Sequence, residues 1–413
     1  MIVESLLIGA FLLFFVCYAL ALIEPYSRPH LYAQDLTSKF VQEIVKACPI
    51  FTEPYVPTYL WGKNGHLQTL VYSKLRPTKC ISPDCVRKNF ETDDGATLTY
   101  DVFQPFQKHS ADDVTILVCP GLANNSESTY VSSFAHFSQE CGFRVVVLNS
   151  IGTLDNVQLT SPRIFTYGGT DDLHHVATKT REEYPETKLV LVGFSMGGNV
   201  ILKYLGQQAS HDVNILCGIS LCQGYDANKA RPLLRSWSNM RCVYLHAMAA
   251  AMKGLLNRHR GVLLTDTIME QYSLDEKAIF SSTTIVEFDE HYSRKTAGFA
   301  SVEKYYEWCS CGNYLQNIQV PILLVNSEDD PLVPPELCDI AIKHAESTTH
   351  CLSLITKHGG HLGFFEGGFI FPNTVTWCDK AVLQFANAIV SLHKDGKLQK
   401  YNMHAEKENG FTH

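Results

Sequence analysis

The stretch LVLVGFSMGGNVILKYLG, residues 189–206, places Ser195 between Gly193 and Gly197 at the point where an apolar run gives way to a helical one. The run KLVLVGF reads as a strand buried on both faces, and the following segment reads as a helix closed by Gly206. Gly193-Phe194-Ser195-Met196-Gly197 fits the G-x-S-x-G pattern, in which a serine stands on a sharp strand-to-helix turn. Such a turn brings the residues two before and two after the serine so close that only hydrogen fits as a side chain. The helix starting behind the turn adds its positive end to the site. Ser195 is therefore a candidate nucleophile, with Gly193 and Gly197 forming its elbow.

Working outward, the chain alternates apolar runs with helical stretches. VTILVCP at 114–120, FRVVVLN at 143–149, NILCGISL at 214–221, VPILLVN at 320–326 and HCLSLIT at 350–356 fit buried parallel strands. Helical stretches such as Ser128–Cys141 separate most of them. Ahead of this set, VRKNFET and ATLTYDVF flank a DDG turn and predict an antiparallel hairpin. Residues 222–319 then interrupt the rhythm with an apolar, aromatic-rich insertion far longer than a crossover needs. Its expected place is over the carboxyl ends of the strands.

A nucleophilic serine needs a base and an orienting acid, which follow it in the order Ser, Asp, His on this pattern. The strand at 320–326 runs into Ser327-Glu328-Asp329-Asp330-Pro331, where Asp330 is the preferred acid, ahead of Asp329 and Glu328. The strand at 350–356 runs into Lys357-His358-Gly359-Gly360-His361-Leu362-Gly363. His361 is the preferred base, because its two preceding glycines allow a close approach, and His358 is its competitor. The oxyanion donors are expected to be the Met196 N–H and an N–H of the loop Gly121-Leu122-Ala123, with Leu122 preferred. Asn124-Asn125-Ser126 in that loop is a glycosylation sequon, but a glycan there would obstruct the site.

The 413 residues are 46% hydrophobic and 18% charged, which suits a well-cored globular protein. A formal charge of -8 with no basic stripe argues against nucleic acid as a partner. The 14 cysteines lack zinc-type pairing and read as reduced or buried thiols, with Cys80–Cys85 and Cys309–Cys311 as possible bridges in an oxidising compartment. No metal or other cofactor is expected. Ser5–Leu22 carries no charge over 18 residues, about the minimum for a spanning helix, and Glu4 stands where a cleaved signal would carry a basic residue. The reading is a retained transmembrane anchor over 1–23, an irregular Pro-studded extension over 24–85, a catalytic domain over 86–395 and a polar tail over 396–413. Arg28 and Lys39 after the span weakly favour a cytoplasmic body.

CPGLANNSE, LTSPRIFTYGG, GFSMGGNV, CQGY, NSEDDPLVP and HGGHLGFFEG together resemble the AB hydrolase type-4 family, and YVPTYLWGKNGHLQTLVY upstream is similar to it as well. The likeness runs from about Leu31 to the mid-390s. It implies the α/β class: an α/β-hydrolase fold with a mostly parallel sheet, helices on both faces, an N-terminal transmembrane helix and a helical cap insertion at 222–319. It also implies Ser195, Asp330 and His361 as the catalytic set, and a type II anchor with its amino end inside the cell, the orientation carried forward. An H-x4-D pattern linked to acyltransferases in the family is matched only by His30 and Asp35, next to the anchor. The expected activity is serine-dependent cleavage of lipid esters of the monoacylglycerol type at a membrane. The rivals are an acyltransferase or thioesterase using the same serine, and a lipid or steroid sensor with an idle pocket.

Overall fold

The computed structural model describes residues 24–74, 85–111, 113–207, 214–235 and 240–398. The anchor read over 1–23, Cys80 and the tail from 399 onward lie outside the described residues. No helix among the described residues is long and apolar enough to cross a membrane.

Among the described residues nine strands form one sheet: β1 (His30–Tyr32), β2 (Cys85–Glu91), β3 (Thr97–Phe103), β4 (Val114–Cys119), β5 (Arg144–Asn149), β6 (Lys188–Phe194), β7 (Ile215–Leu221), β8 (Ile322–Ser327) and β9 (Cys351–Thr356), in the order β1-β9-β8-β7-β6-β4-β5-β3-β2. The six strands from β4 to β9 run parallel. The expected hairpin, β2 and β3, adds antiparallel on β5, with Thr99 opposite Asn149. Side chains alternate across the sheet, so Ile116 and Val118 of β4 enter one core while Leu117 and Cys119 enter the other. Helices α1 (Lys39–Ala47), α3 (Thr129–Glu140) and α9 (Trp377–Lys394) cover the first face. Helices α4 (Asp171–Glu183), α5 (Met196–Gln207) and α8 (Pro335–Ser347) cover the second. Two-sided burial is the reason the strand runs are apolar throughout.

The stretch read as an irregular extension departs from that expectation. Within it β1 pairs antiparallel with β9 and becomes the edge of the sheet, His30 opposite Ile355, and α1 buries Phe40, Val41 and Ile44. A further helix, α2 (Gly65–Lys74), lies against the loops that follow β8 and β9, with Gly65 packed on Asp329 O and Thr69 bonded to the His361 N–H. Ser38 caps α1 by accepting from the Val41 N–H, a start signal present in the sequence but set among prolines.

Between β7 and β8 the chain is largely helical, including α6 (Arg241–Arg258) and α7 (Val302–Cys309). These helices bury their own apolar cluster, Leu245, Met252, Leu256, Phe288 and Tyr305 among it, and that cluster includes Met196. The inserted helices thus pack directly on the residue that follows Ser195.

Candidate active site

Ser195 sits at the crest between β6 and α5 with φ 53°, the left-handed region that costs a non-glycine residue energy and persists where the surroundings fix it. A Cβ on Gly193 would stand 2.3 Å from Gly197 O, and one on Gly197 would stand 1.9 Å from Cys119 O. The two glycines are therefore required by different neighbours: the first by the elbow itself, the second by the end of β4.

His361 Nε2 lies 2.8 Å from Ser195 Oγ, and His361 Nδ1 lies 2.9 Å from Asp330 Oδ2. Asp330 is fully buried on the loop after β8, and its other oxygen accepts the Leu332 and Val333 N–H groups at 2.7 and 3.0 Å. Three hydrogen bonds hold this carboxylate in place. The rival acid and base do something else. Asp329 accepts the Gly360 N–H at 2.8 Å and faces His358 at 3.4 Å, fastening the two loops to each other. His358 also approaches Glu24 at 3.8 Å rather than the serine.

The loop after β4 passes close to the serine: a Cβ on Gly121 would lie 3.5 Å from Ser195 Cβ. The Gly121 N–H donates to Tyr130 Oη at 2.8 Å, whereas the Leu122 N–H has no protein acceptor among the described residues. Met196 opens α5, so no carbonyl of its own helix can take its N–H. The sequon nitrogen Asn124 Nδ2 is engaged with Leu122 O at 2.8 Å. His30 lies in the edge strand β1 and Asp35 takes the Thr37 N–H at 2.8 Å, so both have structural partners.

Several residues that shape the site received no role from the sequence. The His361 N–H donates to Thr69 Oγ1 at 2.8 Å, and Thr69 donates to Gly65 O at 2.7 Å. Gln68 Oε1 accepts the Phe365 N–H at 2.9 Å while its Nε2 donates to Gly62 O at 2.7 Å. Gly65 packs so closely that a Cβ would stand 2.0 Å from Asp329 O. All belong to the WGKNGHLQT stretch, which stood out only as part of a family likeness. On α5, Asn199 and Lys203 are buried and one turn apart. Asn199 donates to Tyr167 O and Cys309 O, and Lys203 Nζ donates to Gly168 O at 2.8 Å and Trp308 O at 2.6 Å, sewing the helix to the insertion. Burial lowers the Lys203 ammonium to about 8. Two polar residues at i and i+4 in an apolar helix were the available signal.

Cys222, just after β7, brings its sulfur within 4.8 Å of donor atoms of Asp330 and His361. Both imidazole nitrogens already face Ser195 and Asp330, and burial pushes the Cys222 thiol well above its usual range. The set offers neither a free imidazole nitrogen nor a thiolate, so its chemistry does not suit a metal ion. All twelve cysteines among the described residues are free thiols, Cys309 and Cys311 included.

A cavity of about 610 Å³ lies between the β2–β3 turn, the start of α4 and the inserted helices. Met196, Gly197 and Pro120 form part of its wall, so it backs onto the elbow, although neither Ser195 nor His361 lines it. Ile164, Phe165, Val200, Tyr292, Phe299 and Trp308 make much of the lining apolar. The lining also carries charge: Arg163 pairs with Asp172 at 2.9 Å and with Asp94.

A family model described as the alpha/beta hydrolase fold matches residues 114–368. The chain belongs to the α/β-hydrolase family. This hydrolase is 40% identical over 384 residues to the mouse protein named monoacylglycerol lipase ABHD2, covering 92% of this chain and 90% of the relative. It is 38% identical over 387 residues to Drosophila melanogaster abhydrolase domain-containing protein 2, covering 93% and 96%. A more distant relative is the mouse protein named phospholipase ABHD3, 29% identical over 394 residues and covering 94% and 90%. The hydrolase spans nearly the full length of each.

Proposed function

We propose that this chain is a membrane-anchored serine hydrolase that cleaves lipid carboxylic esters of the monoacylglycerol type through an acyl-enzyme. The observation that carries this reading is the relay Ser195 Oγ, His361 Nε2, His361 Nδ1, Asp330 Oδ2, with steps of 2.8 and 2.9 Å. His361 takes the hydroxyl proton as Ser195 Oγ attacks the ester carbonyl, and buried Asp330 holds the ring and stabilises its charged form. The N–H groups of Leu122 and Met196 receive the oxyanion, a donor of this kind being worth about 10²–10³ in rate. His361 then gives its proton to the departing alcohol as the carbon–oxygen bond breaks. Water, deprotonated by the same imidazole, repeats the sequence on the acyl-serine and frees the fatty acid.

Two features support a lipid substrate. The cavity of about 610 Å³ behind Met196 is large enough for an acyl chain, and its apolar side, Ile164, Phe165, Val200, Tyr292, Phe299 and Trp308, would hold the chain away from water. The relatives named monoacylglycerol lipase cover almost the whole chain. The uncharged run Ser5–Leu22 supports a single-pass type II anchor in the plasma membrane or endoplasmic reticulum.

The test is a fluorophosphonate probe applied to wild type and Ser195→Ala, followed by monoacylglycerol hydrolysis. Wild type should label, and the variant should lose labelling together with at least about a thousandfold in kcat. A variant that labels like wild type removes Ser195 from the mechanism. Added alcohol that diverts most product into a new ester would assign the acyl-enzyme to transfer instead of hydrolysis.

A further inference from the structure

Six and seven residues beyond His361 the chain turns at Gly367 and Gly368, both with positive φ, and then presents Phe369, Ile370 and Phe371 with 60, 46 and 84% of their surfaces exposed. Three consecutive large apolar side chains left in water are costly unless something covers them. The backbone beneath them is tightly held. Tyr59 N–H donates to Gly368 O at 3.1 Å, Leu60 N–H to Phe369 O at 3.0 Å, and Trp61 Nε1–H to Ile370 O at 2.7 Å. The Phe369 ring stacks on Tyr59 with centroids 5.1 Å apart. A Cβ on Gly368 would stand 1.9 Å from Phe371 O, so the turn has one available shape. A rigid backbone thus aims the side chains outward.

The place where the described chain begins indicates what covers them. Glu24 pairs with Lys357, four residues before His361, and its carbonyl accepts Lys63 Nζ at 2.5 Å. Lys63 lies two residues beyond Trp61, and its ammonium stands 5.2 Å over the exposed ring of Tyr26. Glu24, the first described residue after the uncharged Ser5–Leu22 run, therefore lies beside the turn 58–63 that supports the aromatic residues. We infer that Tyr59, Phe369, Ile370 and Phe371 form a second membrane contact, a platform that sits in the interfacial layer of the bilayer and holds the catalytic mouth against lipid. Aromatic side chains with a polar backbone behind them suit that layer. The inference rests on the membrane-anchored reading.

The full chain, reconstituted in phosphatidylcholine vesicles, tests it. In Phe371→Trp, the emission added over wild type should be blue-shifted and quenched at least twofold by lipids brominated on their upper acyl carbons. Unquenched emission at the wavelength of an exposed indole overturns the platform. So does a blue shift without quenching, which would mean that residues 1–23 or a second copy cover the turn. Phe369→Ser combined with Phe371→Ser should lower hydrolysis of a vesicle-borne ester about fivefold, leaving a water-soluble short-chain ester and probe labelling unchanged. Equal loss on both esters also overturns it. An alkaline carbonate wash separates the two readings: release of wild type sinks the anchor, whereas quenching is read on whatever protein is vesicle-bound.

Discussion

The His361 N–H donates to Thr69 Oγ1, whose own hydrogen goes to Gly65 O, so one buried hydroxyl joins the base loop to α2. Thr69 touches neither the Ser195 oxygen nor Asp330 and acts on the imidazole only through its backbone, as a positioning residue. Thr69→Val keeps the shape but leaves a buried N–H without an acceptor, a penalty of about 1–3 kcal/mol. Partial release of the loop relieves that penalty and moves the imbalance onto the 2.8 Å contact with Ser195. The expected outcome is a roughly tenfold drop in kcat with little change in KM, and recovery in Thr69→Ser, which restores the hydroxyl. Steady-state kinetics of the two variants check this. A serine variant as slow as the valine one would show that side-chain shape matters and the hydroxyl does not. That Ser195, Asp330 and His361 come together could be read from the chain, because each follows a strand in the required order. Asp330, preferred over Asp329 beside Pro331, is the carboxylate that turns inward onto His361, while its neighbour Asp329 turns to the Gly360 N–H, a difference set by the loop's path.

At the scale of the element, the insertion between β7 and β8 was legible as apolar, but its polar interior was not. Asp289 received no role from the sequence; it is buried in a π-helical turn, Asp289–Ser293, and accepts Tyr306 Oη–H at 2.7 Å. Burial raises its carboxyl from the usual range to about 6, with the Ser293 and Tyr306 hydrogen bonds offsetting part of the shift. The folded state then holds this proton more tightly than the unfolded chain does. The stability it lends is complete below about pH 4 and is lost as pH rises through about 6, on the order of 3 kcal/mol in all. Asp289→Asn is neutral throughout and its amide oxygen still accepts from Tyr306. The variant should therefore gain stability relative to wild type between pH 4 and 7, as measured by urea unfolding at each pH. The difference isolates the one carboxyl from the other titrating groups, and a flat difference would rule out its burial as a charge.

For the whole molecule, the Pro-studded arm is as much part of the hydrolase as the sheet is. Prolines and short elements break up its pattern, though Phe40, Val41, Ile44 and Val45 of α1 repeat at helical spacing, and its pairings reach across almost the whole chain, from His30 to Ile355 and from the Tyr55 hydroxyl to Phe365 O at 2.7 Å. The parallel strands were legible because two-sided burial makes each an unbroken apolar run, whereas a three-residue edge strand carries no comparable signal. Phe40, Val41, Ile44, Phe51 and Tyr55 are all buried in the core shared with α9. At about 1.5–3 kcal/mol for each such side chain, their removal exceeds much of the 5–15 kcal/mol that typically holds a domain together. It would also strip His361 of its Thr69 acceptor. A chain shortened to begin at residue 24 keeps these contacts and should label with the fluorophosphonate probe and unfold in one cooperative transition. A chain beginning at residue 85 should show neither the transition nor the labelling, because the exposed faces of β9 and α9 have nothing else to pack on. Equal labelling and equal melting temperatures for the two would mean that the sheet and its helices fold alone, and that the arm only decorates a site already complete.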